Sequence, residues 1–331
     1  MTVSDNSSQS SGGLSPVTML DASGVETSLN LSLDSWGVNA TDSKSYIIRQ
    51  IGSYDERASE LTGWNDWFST TALFWAVSPN YSNDFSSLPE GIDLISYSDA
   101  SNEFSKSVFV HETTRSISTE GLNSKPSILI AGHYTIGSAS APETFYRFRT
   151  SIFKENEAYA FLLKKVSSIL KINGADITEE TLKENFKLKH IENIAGKELP
   201  SSYVTLQLRE GKEISDFSGK DGVAYSDSES LNKAIAEKCW ALEMFKDGKC
   251  LFSVPVEHKK FSDKTIYGIV RNHHYSISIN SISGIGKGVS DENSEISETP
   301  EFEEDSNSYS ISFELKIRDW TDITQEVAIG K

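Results

Sequence analysis

Three runs toward the C-terminal end alternate apolar and polar residues with a period of two, and they constrain the fold more than any other feature. In the first, Tyr275, Ile277, Ile279 and Ile282 stand among Ser276, Ser278 and Asn280. The second repeats the pattern with Tyr309, Ile311, Phe313, Leu315 and Ile317. The third consists of Ile323, Gln325, Val327 and Ile329. Successive side chains of a strand point to opposite faces, so each run predicts a strand with one face on a core and one in water. The third strand needs a partner in its own domain or in another molecule, and that choice bears on function.

The same logic extends upstream. Leu29, Leu31 and Leu33 alternate within Thr27 to Trp36. Ser107 to His111 and Ser127 to Ile136 are apolar on both faces, as central strands are. Ser45 to Ile51, Tyr203 to Leu208 and Cys250 to Val256 read as further strands. Helical spacing appears at Tyr159, Leu162, Leu163, Val166, Ile169 and Leu170, with Asn173-Gly174 as the expected stop. A short helix is expected from Thr178 to Phe186. A capping-box pattern at Ser226 and Glu229 opens another, with a stripe of Leu231, Ile235, Cys239, Leu242 and Phe245 closed by Lys246 and Gly248. The sum is a mainly β, antiparallel architecture carrying two or three inserted α-helices. Residues 1–24, rich in Ser, Gly and Asn, read as a flexible polar leader, and 25–50 as a linking strand segment.

The formal charge of −17 disfavours nucleic acid, whose phosphates dominate such affinities. No apolar run approaches the roughly 20 residues of a spanning helix, and the first residues lack the basic and apolar regions of a signal peptide. Cys239 and Cys250 are too few for a disulfide scaffold and read as two separate buried thiols, with a bridge between them as the alternative.

No catalytic constellation stands out. His111-Glu112 has no second histidine at zinc-protease spacing. His273 and His274 are adjacent on a strand and point to opposite faces, so they do not share a metal. Gly284, Gly286 and Gly288 follow a strand without opening a helix, which rejects dinucleotide binding and suggests a loop with positive φ. The acidic stretch from Asp291 to Asp305 lacks the spacing of a calcium loop and reads as solvated. Arg271 is expected to pair with a carboxylate near a sheet edge. Trp64, Trp67 and Trp75 form either core packing or a platform for sugar rings. No enzyme, cofactor or metal is expected.

Three segments carry a resemblance. They are Gly248-Lys-Cys-Leu-Phe-Ser-Val-Pro-Val-Glu-His258, Tyr267-Gly-Ile-Val-Arg-Asn-His-His-Tyr275 and Ile279-Asn-Ser-Ile-Ser-Gly-Ile-Gly286. Tyr267, Gly268, Arg271, Asn272, His273, Tyr275, Gly284 and Gly286 are their motif positions. The segments resemble the C-terminal domain of the fimbrillin family that forms the short (minor) fimbriae of Porphyromonas and related Bacteroidales, the type V pili. Trp36-Gly-Val-Asn-Ala-Thr, Phe74-Trp-Ala-Val, Phe109-Val-His-Glu-Thr113 and Gly132-His-Tyr134 extend the similarity upstream in family order.

The resemblance implies a β-sandwich-like, Greek-key-type fold. It implies a structural subunit of a cell-surface fimbria, exported as a lipoprotein and anchored at the outer membrane. The implied partners are other fimbrial subunits, accessory and tip subunits, and host or bacterial surface proteins. Assembly in such a family proceeds by strand exchange: an Arg-specific protease removes an N-terminal strand, and the opened groove takes a strand from the next subunit. Ile323, Gln325, Val327 and Ile329 are the expected donor. The family's N-terminal domain, lipobox cysteine and cleavage arginine are not found ahead of Trp36. Residues 25–50 then read as the end of a largely missing domain, and 51–331 as the fimbrillin C-terminal domain. Such a chain is expected to give a strand rather than receive one. The alternative is an accessory or tip adhesin, with Trp64, Trp67 and Trp75 as ligand aromatics.

Overall fold

The computed structural model describes residues 1–6, 14, 16–43, 45–48, 67–70, 76–77, 91–114, 125–260, 265–270, 273–295 and 310–319. In chain order the main elements are β1 (Thr2–Asp5), β2 (Val17–Leu20), β3 (Glu26–Asn39), β4 (Ser127–Ile136), β5 (Phe145–Phe148) and β6 (Ser151–Phe153). Then come α1 (Glu155–Val166), α2 (Glu179–Asn185), β7 (Phe186–His190), β8 (Tyr203–Leu208), α3 (Ser228–Cys239) and β9 (Leu242–Phe245). The last are β10 (Lys249–Pro255), β11 (His273–Ser283), β12 (Lys287–Gly288) and β13 (Ser310–Asp319). A large sheet runs β7-β8-β9-β5-β6-β2-β3-β4-β10-β12, and a small one β1-β11-β13. The fold is mainly β and dominated by antiparallel pairing, as a sandwich-like domain requires.

The two sheets enclose one core, in which Trp36, Tyr134, Phe252, Tyr275 and Ile277 meet. The other half of the large sheet is covered by α1, α2 and α3 over a second core that includes Leu162, Phe186, Leu206, Leu231 and Ile235. β4 is buried on both faces: Ile128 and Ile130 enter the first core, while Leu129 and Ala131 face a smaller cluster containing Ala100. Two-sided burial is what its unbroken apolar run predicts.

In β11, Tyr275, Ile277, Ile279 and Ile282 are all buried. The change from odd to even numbers is made by a bulge between Ser278 and Ser281, where the extra residue restores the inward phase. β13 pairs antiparallel to β11, with Ile317 opposite Tyr275 and Leu315 opposite Ile277. The third run, Ile323 to Ile329, lies outside the described residues.

Several expectations need correction. The flexible leader contains two strands, β1 and β2, and Val3 is completely buried. Residues 107–112 are not a central strand; Val108 and Val110 pack against the core, but Phe109 projects fully into solvent. Helix α1 ends at Val166, and Leu170–Ile172 is a strand returning through Asn173-Gly174 to Ala175–Asp176. Asn173 and Gly174 both have positive φ, 48° and 76°, the conformation of a tight hairpin turn rather than a helix stop. Helix α3 is capped one residue later than expected, by Asp227, whose carboxylate accepts from the Ser230 amide at 2.7 Å. It ends at Cys239, because Trp240 takes φ 62° and ψ −171°, and Leu242 and Phe245 belong to β9.

Candidate strand-binding site

β1 is a strand of only four residues held between a strand and a loop. On one side it runs parallel to β11, with Thr2 opposite Ser276 and Asp5 opposite Ile279. On the other it meets residues 105–108: the Ser105 amide donates to the Val3 carbonyl at 2.6 Å and the Val108 amide to the Met1 carbonyl at 2.8 Å. Thr2 and Ser107 form an antiparallel bridge, their hydroxyls 2.8 Å apart. The Thr-Val-Ser sequence suits this place. Val3 points into the first core, while the Thr2 hydroxyl meets His274 Nε2 at 3.0 Å on the outer side. Burial of one valine contributes roughly 1.5–3 kcal/mol, and each ladder hydrogen bond about 0.5–1.5 kcal/mol. Such a strand is well seated in its slot.

The floor of this slot is β11, fixed by Tyr275. Its hydroxyl accepts from the Val270 amide at 2.9 Å and shares a 2.8 Å hydrogen bond with His258 Nδ1. Burial pushes the Tyr275 hydroxyl pKa above the ordinary tyrosine value, so it stays protonated. The His273 ring stands edge-on to His258 with 5.0 Å between centroids, while His274 meets Thr2. Tyr267 lies under the Lys125 ammonium, 4.6 Å from the ring centre, and the Gly268 amide donates to Val256 at 3.0 Å. Beyond β11 the chain turns through Gly284 and Gly286 at φ 101° and 66°. A side chain at Gly286 would place its Cβ 2.7 Å from the Phe252 ring, so space as well as φ demands glycine. Gly288 belongs to β12 and not to this loop.

Arg271, Asn272, Trp64 and Trp75 lie outside the described residues, and Trp67 is described only as the first residue of a short strand, Trp67–Thr70. The slot was missed in the sequence because four residues are too few to establish a period. A second missed feature is the buried pair of Arg147 and Glu243. Arg147 Nε donates to Glu243 Oε2 at 2.8 Å, and the Gly288 amide donates to Oε1 at 2.8 Å. Cys239 and Cys250 are both free and buried. Among the described residues no cluster of three metal-binding side chains occurs, and no helix is long and apolar enough to cross a membrane.

Residues 243–326 match a family model described as major fimbrial subunit protein type IV, fimbrillin, C-terminal. The match supports the fimbrillin family for this part of the chain. No curated protein matches the sequence. The fimbrillin segment begins in β9 and takes in β10, β11, β12 and β13, so it forms the floor of the slot and supplies strands to both sheets around the first core. That model describes a fimbrial subunit, and the match covers the C-terminal quarter of the sequence.

Proposed function

We propose that this chain is a structural, non-enzymatic subunit of a cell-surface fimbria that joins its neighbours by strand exchange. The observation that carries this is the placement of the fimbrillin match. It falls on strands that already hold a short extended segment, β1, drawn from the far end of the sequence. A fold that receives one such strand has the geometry of β-augmentation, in which main-chain hydrogen bonds give affinity and alternate side chains fill pockets. The donor is the run Ile323, Gln325, Val327 and Ile329. Burying Ile323, Val327 and Ile329 contributes roughly 5–9 kcal/mol, against an association cost of about 4–15 kcal/mol. Ladder hydrogen bonds and contacts outside the groove are therefore needed for a stable filament. The partners are other copies of the subunit and accessory or tip subunits, with host or bacterial surface proteins as adhesion targets and an outer-membrane anchor for the filament.

Deleting Thr321–Lys331 tests the donor. The expected outcome is a folded protein, by circular dichroism and melting, that forms no filaments by electron microscopy. Filaments of normal length from the deleted protein would refute the donor assignment.

A further inference from the structure

We infer that the surface where the β5–β6 hairpin meets the C-terminal ends of α1 and α3 binds an acidic sugar, a pyranose ring that carries a carboxylate. Two side chains there stand on backbone that favours glycine. Arg149 and Thr150 are the turn residues of the hairpin, since Phe148 faces Ser151 across it. Arg149 takes φ 56°, a value that two-residue hairpins ordinarily give to glycine or asparagine. Trp240 ends α3 at φ 62° and ψ −171°, a region kept almost wholly for glycine. Its amide donates to the Ala236 carbonyl at 2.9 Å, and its own carbonyl accepts from the Thr205 hydroxyl at 3.0 Å, so the strained backbone is pinned. Arg149 is exposed and Trp240 is 38% exposed, so neither is there to fill a core. Glycine would serve the fold at less cost, and strain kept at a surface position points to a use for the side chain.

Lys165, in the last turn of α1, joins the two. Its ammonium donates to the carbonyl of Cys239, the neighbour of Trp240, at 3.3 Å. It also lies 4.2 Å from the ring centre of Phe148 and 5.0 Å from that of Phe161, and the Arg149 guanidinium lies 5.4 Å from the same Phe148 ring. Burial pushes the Lys165 pKa down, and the charges of Arg149 and Lys238 push it the same way. The negative ends of two helices account for Lys165 and Lys238. They do not account for Arg149 on a hairpin or for an exposed Trp240. Cations crowded about half-buried rings repel one another, and a bound anion relieves that repulsion. A guanidinium and an ammonium together supply charged donors for a carboxylate, and an exposed indole supplies a flat apolar face for a sugar ring. The formal charge of −17 on the chain repels an extended acidic peptide more than a single carboxylate, which favours one acidic ring as the ligand. The site is independent of residues 321–331 and of filament assembly.

Methyl glucuronide and methyl glucoside supply the test, because they differ only in a carboxylate against a hydroxymethyl group. Each is titrated into the full-length protein at low salt and followed by saturation-transfer NMR. The glucuronide should give a signal that the glucoside does not, and added salt should weaken it. Arg149→Gly and Trp240→Gly should each reduce the glucuronide signal to the level of the glucoside. Both variants should melt at or above the temperature of the unaltered protein, because glycine relieves the strained backbone. Equal signals from the two sugars, no signal from the glucuronide, or glycine variants that bind as before would each overturn the site. A glycine variant that melts lower shows that the side chain serves the fold, and also overturns it. Displacement of the glucuronide by hexaglutamate at a lower concentration than by free glucuronide would give the surface to an acidic peptide and overturn the sugar.

Discussion

The core beneath α1, α2 and α3 takes its residues from one continuous stretch, Tyr146 to Leu242, whereas the core between the two sheets joins Met1 to Ile285. Both are lined by fully buried aromatic and branched side chains, so composition does not separate them. Sequence separation does. The helical layer can form from local contacts alone, while the sandwich needs β1, β3, β4, β10 and β11 brought together from both ends of the chain, which raises the loop-closure cost. The difference separates the two regions: a layer closed within one stretch of chain, and a core assembled from both ends of it.

The tie between them is the largest single liability. Glu243 on β9 holds Arg147 of β5 and the Gly288 amide of β12, and both side chains are less than a tenth exposed. Breaking a buried pair by neutralising one partner leaves an uncompensated charge and costs about 3–5 kcal/mol. Glu243→Gln should therefore lower stability by that amount in urea. The continuous sheet still joins the layer and the sandwich, so unfolding should stay a single transition with a lowered midpoint. An unshifted midpoint would mean that the pair contributes no net stability.

Leu162→Ala probes the helical layer alone. Leu162 is fully buried between α1 and the sheet, and removing three carbons from such a site costs about 2–4 kcal/mol. The expected result is faster amide exchange through residues 155–239 with β11 protection unchanged. Equal acceleration in β11 would show that the layer has no independent stability.

Val3→Ala is the counterpart in the sandwich. Loss of about two buried methyl groups predicts about 1.5 kcal/mol, and the effect should fall on β1 and residues 105–108, with α1 and α3 unaffected by exchange. A change in α1 as large as that in residues 105–108 would erase the distinction between the two cores.

What could be read from sequence follows the same division between local and distant causes. β8 and β4 were legible to the residue, and β11 nearly so, because burial repeats along the strand and leaves a pattern in the chain. Helix interiors were equally visible, but their ends were not. Asn173-Gly174 serves a hairpin turn as readily as a helix stop, and nothing in its composition marks Trp240 for the positive φ that ends α3. β1 was unreadable because its partners lie about a hundred and more residues away, and four residues carry no pattern without them. The motif block around Tyr275 was found by its residue types. That its tyrosine fixes the floor of a strand slot came only from the positions of His258 and Val270.

The two cysteines offer the finest test of the comparison, since one lies in each core. Burial pushes the Cys239 thiol from an ordinary 9.0 up to about 12, and that of Cys250 well above its ordinary value. Both groups are neutral in the folded and unfolded chain below about pH 8 and contribute nothing to the pH dependence there. As pH rises through 9 the unfolded chain releases the proton while the folded chain keeps it, so stability is lost towards the folded value. For Cys239 this amounts to about 1.4 kcal/mol by pH 10. Cys239→Ala should therefore flatten the alkaline loss measured on the helical layer and leave that of the sandwich intact, and Cys250→Ala should do the reverse. If either substitution flattens both, the two cores open together under alkali, and the continuous layer is not a separate unit of stability.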